Sequence, residues 1–198
     1  MQIGLIGLPQ AGKKTLMRLL TQVSPQALAA AAGGAVPGMC PVRDPRVERL
    51  SGIYKPAKVT PATIQYLLMP DMTKDSATNR ELLKALLKVD VLAHVVRAFE
   101  DDTVFHLDGS VDPRRDIDTV HAELMLNDLV FLEKRLERIA KDKQRRSGAD
   151  AEQEQTLLVR LQAHLNDHGP LRTMDLDGQE LKLLSGAPLL TRKPYLVI

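Results

Sequence analysis

Residues 2–15 constrain the fold of this chain more than any others. Gln2-Ile3-Gly4-Leu5-Ile6 is an uncharged run with the length of one buried strand. It leads directly into Gly7-Leu8-Pro9-Gln10-Ala11-Gly12-Lys13-Lys14-Thr15, where Gly7, Gly12 and Lys13 have the spacing G-x-x-x-x-G-K. Leu16, Leu19, Leu20 and Val23 then recur at i, i+3, i+4, i+7, which predicts the apolar face of a helix. Strand, glycine loop and helix is what a phosphate-cradling loop requires. The glycines let backbone N–H groups turn inward, the lysine brings charge to the β/γ oxygens, and the helix presents its positive end. In such a loop the residue after the lysine is Ser or Thr, whose hydroxyl holds magnesium. Here that residue is Lys14, and Thr15 follows one position late.

An ordinary glycine-rich β–α turn meets the same spacing, so the rest of the chain has to discriminate. Pro25 and the run Ala29 to Pro37 read as a loose surface loop, with no threonine between Ser24 and Cys40 to serve as a switch ligand. Residues 38–43 read as a strand. Asp44-Pro45 then reads as an N-cap with proline at the first helical position, opening a short helix through Val47, Leu50 and Ile53 that stops near Pro56. Ala62 to Met69 reads as a buried strand, and Pro70 to Asn79 as polar and irregular. Leu82, Leu83, Leu86, Leu87 and Val89 mark a helix, and Val91 to Val96 another buried strand. Strands alternating with helices predict an α/β fold with a mostly parallel sheet, with active groups at the carboxyl ends of its strands. Lys13, the 68–79 loop and the 98–112 loop are then neighbours by topology.

From about Asp116 the pattern changes. Met125, Leu129, Leu132, Leu136 and Ile139 step by 4, 3, 4, 3, and Leu158, Leu161 and Leu165 continue a second seam as far as Gly169-Pro170. With a break at Arg146 to Asp150, the two seams predict an antiparallel coiled-coil hairpin. Between Lys134 and Arg146 stand seven basic residues (Lys134, Arg135, Arg138, Lys141, Lys143, Arg145, Arg146) against Glu137 and Asp142. A solvated helix face and an RNA-facing surface both account for them. A third short helix is expected over Asp177 to Leu184, and strand character returns at Lys193 to Ile198. The expected division is a core domain over 1–115, a helical insertion over 116–183, and a return strand over 184–198.

Composition excludes several classes. Hydrophobic content of 44% with 26% charged residues is that of an ordinary globular chain, and a net charge of +2 does not by itself argue for a nucleic-acid partner. Three tyrosines, three phenylalanines and no tryptophan leave little for base stacking. The lone Cys40 rules out an internal disulfide, fits a reducing compartment, and reads as a small buried hydrophobe. The apolar run from Ala27 to Val36 is too short to span a bilayer, and no export signal opens the chain, so a cytoplasmic protein with no membrane partner is expected.

Several stretches together resemble the YchF-type, or Obg-like ATPase, family. They are Gly7-Leu8-Pro9 leading to Gly12-Lys13, Pro41-Val42-Arg43-Asp44-Pro45-Arg46, Pro61-Ala62-Thr63-Ile64, His94 to Asp102, and Val111-Asp112-Pro113-Arg114-Arg115-Asp116-Ile117. Glu123-Leu124 and the final Leu190-Thr191-Arg192-Lys193-Pro194 match as well. The resemblance covers nearly the whole chain and weakens at 24–37 and 68–88. It implies a GTPase-like phosphate-loop domain interrupted by a helical hairpin, binding of ATP or GTP through Gly7 to Thr15, and association with the ribosome. It also implies that a loop histidine, here His106, positions the attacking water.

Departures from the family pattern argue against fast hydrolysis. Lys14 stands where the family has Ser, and Leu68 and Asp71 stand where it has the Asp and Gly of D-x-x-G. Thr73-Lys74-Asp75-Ser76-Ala77-Thr78 replaces its glycine-rich switch, and its base-reading Asn-x-x-Glu falls beyond Ile198. The expectation is a divergent, C-terminally incomplete member that binds nucleotide with a degenerate magnesium site and turns it over slowly or not at all. The alternatives are a non-hydrolysing scaffold, or an RNA- or ribosome-binding module acting through the basic hairpin.

Overall fold

A computed structural model of the chain describes residues 1–30, 34–73, 76–142 and 149–198. The chain divides into two compact units, one made of Met1–Thr73, Lys88–Val111 and Tyr195–Ile198, the other of Lys74–Leu87 and Asp112–Pro194.

The first unit is built on a five-stranded sheet. Its strands are β1 (Gln2–Ile6), β2 (Val36–Pro41), β3 (Thr63–Leu68), β4 (Val91–His94) and β5 (Tyr195–Val197), in the order β2-β3-β1-β4-β5. β1 lies at the centre, parallel to β3 and β4, and β5 is parallel to β4; only β2 runs antiparallel to its neighbour. The α/β fold with a mostly parallel sheet is therefore as the alternation predicts. β2 occupies 36–41 and not 38–43, because it pairs residue for residue with β3 from Val36↔Leu68 to Pro41↔Thr63 and takes its ends from that partner. The stretch expected as loose loop holds a short helix, α2 (Pro25–Ala30), in which proline stands at the first position and alanines follow. Cys40 is half-buried, not buried as expected.

Helix α1 (Lys13–Leu20) follows the glycine loop, and the leucine spacing predicts its inward face only in part: Leu16 and Val23 pack against the core and Leu19 does not. Met17 is fully buried while Leu19 is 79% exposed. The helix starts at Lys13, so Lys13 and Met17, four residues apart, share the inner face, and Leu19, two positions on, points away. Met17 packs with Leu5, Leu28, Val36, Leu68 and Ala93 in the core of this unit. Gly38 permits the contact, since a Cβ there would meet the Met17 and Thr21 side chains. Helix α3 (Pro45–Tyr54) starts as expected: the Asp44 carboxylate caps it by accepting from the Arg46 N–H at 2.9 Å. Its Leu50 and Ile53 are exposed.

The second unit is helical. α4 (Ser76–Leu86) begins inside the stretch expected to be irregular, and Leu87 and Val89 lie beyond its end. α5 (Pro113–Asp142) and α6 (Ala149–Asp167) pack on each other through the predicted seams. Leu132, Ile139, Leu158, Leu161 and Leu165 are buried in one cluster, with Met125, Leu129 and Leu136 partly buried against it. α7 (Gly178–Leu183) carries a full capping box between Asp177 and Glu180. Asp128 of α5 is wholly buried and closes the unit by accepting from the N–H groups of Leu190 and Thr191 and from the Thr191 hydroxyl, at 2.8, 2.8 and 2.7 Å.

Candidate phosphate-binding site

The loop between β1 and α1 turns through three residues in the left-handed half of conformational space. These are Gly7 (φ 146°), Gln10 (φ 61°) and Gly12 (φ 96°). At Gly7 the need for glycine is doubled, because an added Cβ would run into the Val95 carbonyl oxygen. Gly12 is the N-cap of α1, whose first turn holds no acidic residue and whose N-cap makes no side-chain hydrogen bond. The positive end of that helix is thus left for an anion.

Lys13 folds back into the loop that it closes. It is 4% exposed, and its ammonium donates to the Gly7 carbonyl at 2.7 Å and the Leu8 carbonyl at 2.5 Å. The Asp71 carboxylate, 2.7 Å away, is its third partner. Three acceptors match the three hydrogens of an ammonium group. Burial pushes the Lys13 pKa below its ordinary value, and the hydrogen bond and charge of Asp71 work against that shift. Asp71 is itself held in place by its neighbours. The N–H of Met69 donates to the Leu5 carbonyl at 3.1 Å and that of Met72 to the Gly7 carbonyl at 3.2 Å, with both methionine side chains buried.

Two clefts flank Lys13. One, of about 270 Å³, is lined by Gln10, Ala11, Gly12, Lys13, Lys14 and Thr15 together with Asp71, Phe99 and Val104. The other, of about 230 Å³, has Lys13, Lys14 and Asp71 as its charged lining and Leu28, Val36, Leu68 and Met69 among its apolar lining. The topological expectation that Lys13, the segment after β3 and the segment after β4 are neighbours is met by Asp71, Phe99 and Val104. Within the loop, Gly7 and Leu8 supply carbonyls to Lys13, residues 10–15 line the cleft, and Pro9 does neither. Lys14 is exposed and borders both clefts.

His106 is 9% exposed and is not among the residues lining either cleft; its Nδ1 accepts from the Asp108 N–H at 3.1 Å. His94 ends β4 fully buried, with its Nδ1 2.6 Å from the Tyr195 hydroxyl, a sheet residue as expected. Arg97 belongs to no site motif in the sequence. It is 3% exposed and donates to the carbonyls of Phe99, Asp101, Val104 and Phe105, with its guanidinium 4.9 Å from the centre of the Phe99 ring. A single arginine thereby shapes the loop that supplies Phe99 and Val104 to the cleft. The only signal in the sequence was a basic residue directly after a buried strand.

In the helical unit, Lys134, Arg138 and Lys141 are exposed. Arg135 is committed to Glu154 through two hydrogen bonds of 2.7 and 3.0 Å. Lys143, Arg145 and Arg146 lie outside the described residues.

A mostly parallel α/β sheet whose central strand feeds a glycine loop and a helix, with a lysine closed into the loop, is the architecture of a phosphate-loop domain. No family model matches the chain. It is 33% identical over 201 residues to the protein named ribosome-binding ATPase YchF of Pasteurella multocida, covering 98% of this chain and 55% of the relative. It is also 32% identical over 205 residues to Obg-like ATPase 1 of Oryza sativa subsp. indica, covering 100% of this chain and 52% of the relative. The solved structure of the Schizosaccharomyces pombe YchF GTPase superposes with a TM-score of 0.80 at 27% identity, over 100% of this chain and 55% of that one. The chain is a homologue of the YchF and Obg-like ATPase family along its whole length, and it spans about half the length of the relatives it matches.

Proposed function

We propose that this chain binds a nucleotide, ATP or GTP or their diphosphates, through residues 7–15, without the family's magnesium ligands, and hydrolyses it slowly or not at all. The observation that carries this reading is the enclosed Lys13, whose ammonium closes a glycine loop at an uncapped helix start. Similarity to a ribosome-binding ATPase and to the YchF GTPase supports the nucleotide-binding part of this reading.

The lining argues against a magnesium site of the family's kind: among the described residues of the two clefts, only Gln10, Thr15 and Asp71 offer side-chain oxygens. The ion prefers octahedral oxygen coordination by hydroxyl, carboxylate and phosphate groups. Here Lys14 follows the loop lysine, the apolar Leu68 is 5% exposed in the wall of a cleft, and the one carboxylate lining the clefts, Asp71, already faces Lys13. Phosphoryl transfer depends on positioning and on neutralising charge, and much of that neutralisation comes from the metal. Lys14 brings a second ammonium to the mouth of the loop and offsets part of the phosphate charge. His106 enters as a water-positioning group only through the family resemblance. Any residual turnover that survives His106→Ala would remove it.

Calorimetric titration with ATP, GTP, ADP and GDP, with and without EDTA, tests the reading, followed by single-turnover hydrolysis. Affinity that survives chelation, with little turnover, is expected. A large loss on chelation, or clear magnesium-dependent turnover, would overturn it.

A second reading rests on the exposed Lys134, Arg138 and Lys141 of α5, with the helical segment acting as an insertion that contacts ribosomal RNA. Reversing those three charges is expected to flatten the salt dependence of ribosome binding. An unchanged slope would remove this reading.

A further inference from the structure

We propose that Asp71 is a specificity-determining residue that sets the length of phosphate chain this site accepts, favouring nucleoside diphosphates over triphosphates. The proposal rests on the nucleotide-binding reading above and adds a selectivity to it.

In a phosphate loop the backbone N–H groups cradle the α- and β-phosphates, and the lysine serves the β/γ side. The two halves differ in availability here. The cradle and the start of α1 are open to the cleft lined by residues 10–15. The lysine is taken: two of its hydrogens go to the Gly7 and Leu8 carbonyls, and the third faces Asp71 at 2.7 Å. A ligand ending at its β-phosphate can sit in the cradle while the Lys13–Asp71 pair persists. A γ-phosphate would have to break that pair, or lie with its own negative charge against the carboxylate.

The pair is also not a chance meeting of surface groups. Met69 and Met72, on either side of Pro70-Asp71, are buried and tied by their N–H groups to the Leu5 and Gly7 carbonyls. The Gly7 oxygen accepts from both Met72 and Lys13, so the segment bearing Asp71 and the loop bearing the lysine share one acceptor. Asp71 is thereby held at the lysine as an internal anion. Its side chain is 53% exposed, so it can be replaced without opening a hole in the core.

The test compares diphosphate and triphosphate affinities of the full chain, as wild type, Asp71→Asn and Asp71→Gly. Wild type is expected to prefer ADP or GDP over ATP or GTP. Both variants are expected to shift that ratio at least tenfold toward the triphosphate. A ratio unchanged within twofold, with binding retained, overturns the proposal and leaves the nucleotide site standing. No binding by wild type or variants overturns both. A second measurement needs no variant: the Lys13 ammonium resonance in ¹⁵N-lysine-labelled protein should move much further on adding triphosphate, which breaks the Asp71 pair, than on adding diphosphate, which leaves the pair in place. Equal movement with both overturns the proposal.

Discussion

Arg97 Nη1 donates to the Val104 carbonyl at 2.9 Å, and so joins the end of the β4 segment to a residue that lines the phosphate-loop cleft seven positions later. Three more carbonyls, of Phe99, Asp101 and Phe105, accept from the same guanidinium. Removing it leaves several of these acceptors without their donor, at about 1–3 kcal/mol for each that stays buried. Arg97→Ala is expected to lower stability by about 3 kcal/mol and to weaken nucleotide binding. Arg97→Lys, with fewer donors and no planar fork, should recover little of either. Urea unfolding and calorimetric titration check both effects.

The inner face of α1 gives a contrast between neighbours. Met17→Ala should cost about 2–5 kcal/mol, as for a large side chain removed from a packed core. Leu19→Ala, at a position 79% exposed, should stay within about 0.5 kcal/mol of wild type. Denaturation midpoints of the two variants decide it.

That contrast shows where the sequence was readable. The alternation of strands and helices gave the sheet, and the heptad steps gave the buried faces of α5 and α6, because both patterns repeat over many residues. The face of α1 is legible only in part: Leu16 and Val23 pack against the core as their spacing predicts, whereas the buried Met17 lies outside that spacing and the exposed Leu19 within it. The inward positions are fixed by Lys13 closing the loop, which spacing alone does not reveal. β2 ended two residues early for a related reason: its ends belong to its partner, β3. At the site, the loop itself was legible. Asp71 was visible only as a missing glycine, and its pairing with Lys13 depends on buried methionines whose contacts no local pattern encodes.

Asp128 offers a pH-dependent test. Burial pushes its carboxyl above the ordinary 3.8, with the hydrogen bonds from Thr191, Leu190 and Asn127 opposing the shift. Between 3.8 and the raised value the folded state holds more protons than the unfolded one. This residue's contribution to stability therefore falls as pH rises through that window. Asp128→Asn cannot titrate, so the stability of wild type relative to the variant should decline over the same window, measured by urea unfolding from pH 4 upward.

The two loop glycines should respond differently to alanine. Gly12→Ala meets nothing within 4 Å and carries only the strain of its φ of 96°, about 1–3 kcal/mol. Gly7→Ala adds a collision with the Val95 carbonyl, so it should lose more stability than Gly12→Ala and lose nucleotide binding altogether. Thermal unfolding and titration of the two variants, side by side, measure the difference.

The most direct measurement concerns Lys13 itself. Nucleotide affinity should be determined by calorimetry for wild type and Lys13→Ala, from neutral to alkaline pH. Since burial lowers the Lys13 pKa below 10.5, wild-type affinity is expected to fall as pH rises through that lowered value and the ammonium loses its charge. Lys13→Ala is expected to bind at least tenfold more weakly at neutral pH and to show no such fall. Equal affinity in the two proteins, or no binding by wild type, would contradict the assignment of residues 7–15 as a phosphate-binding loop.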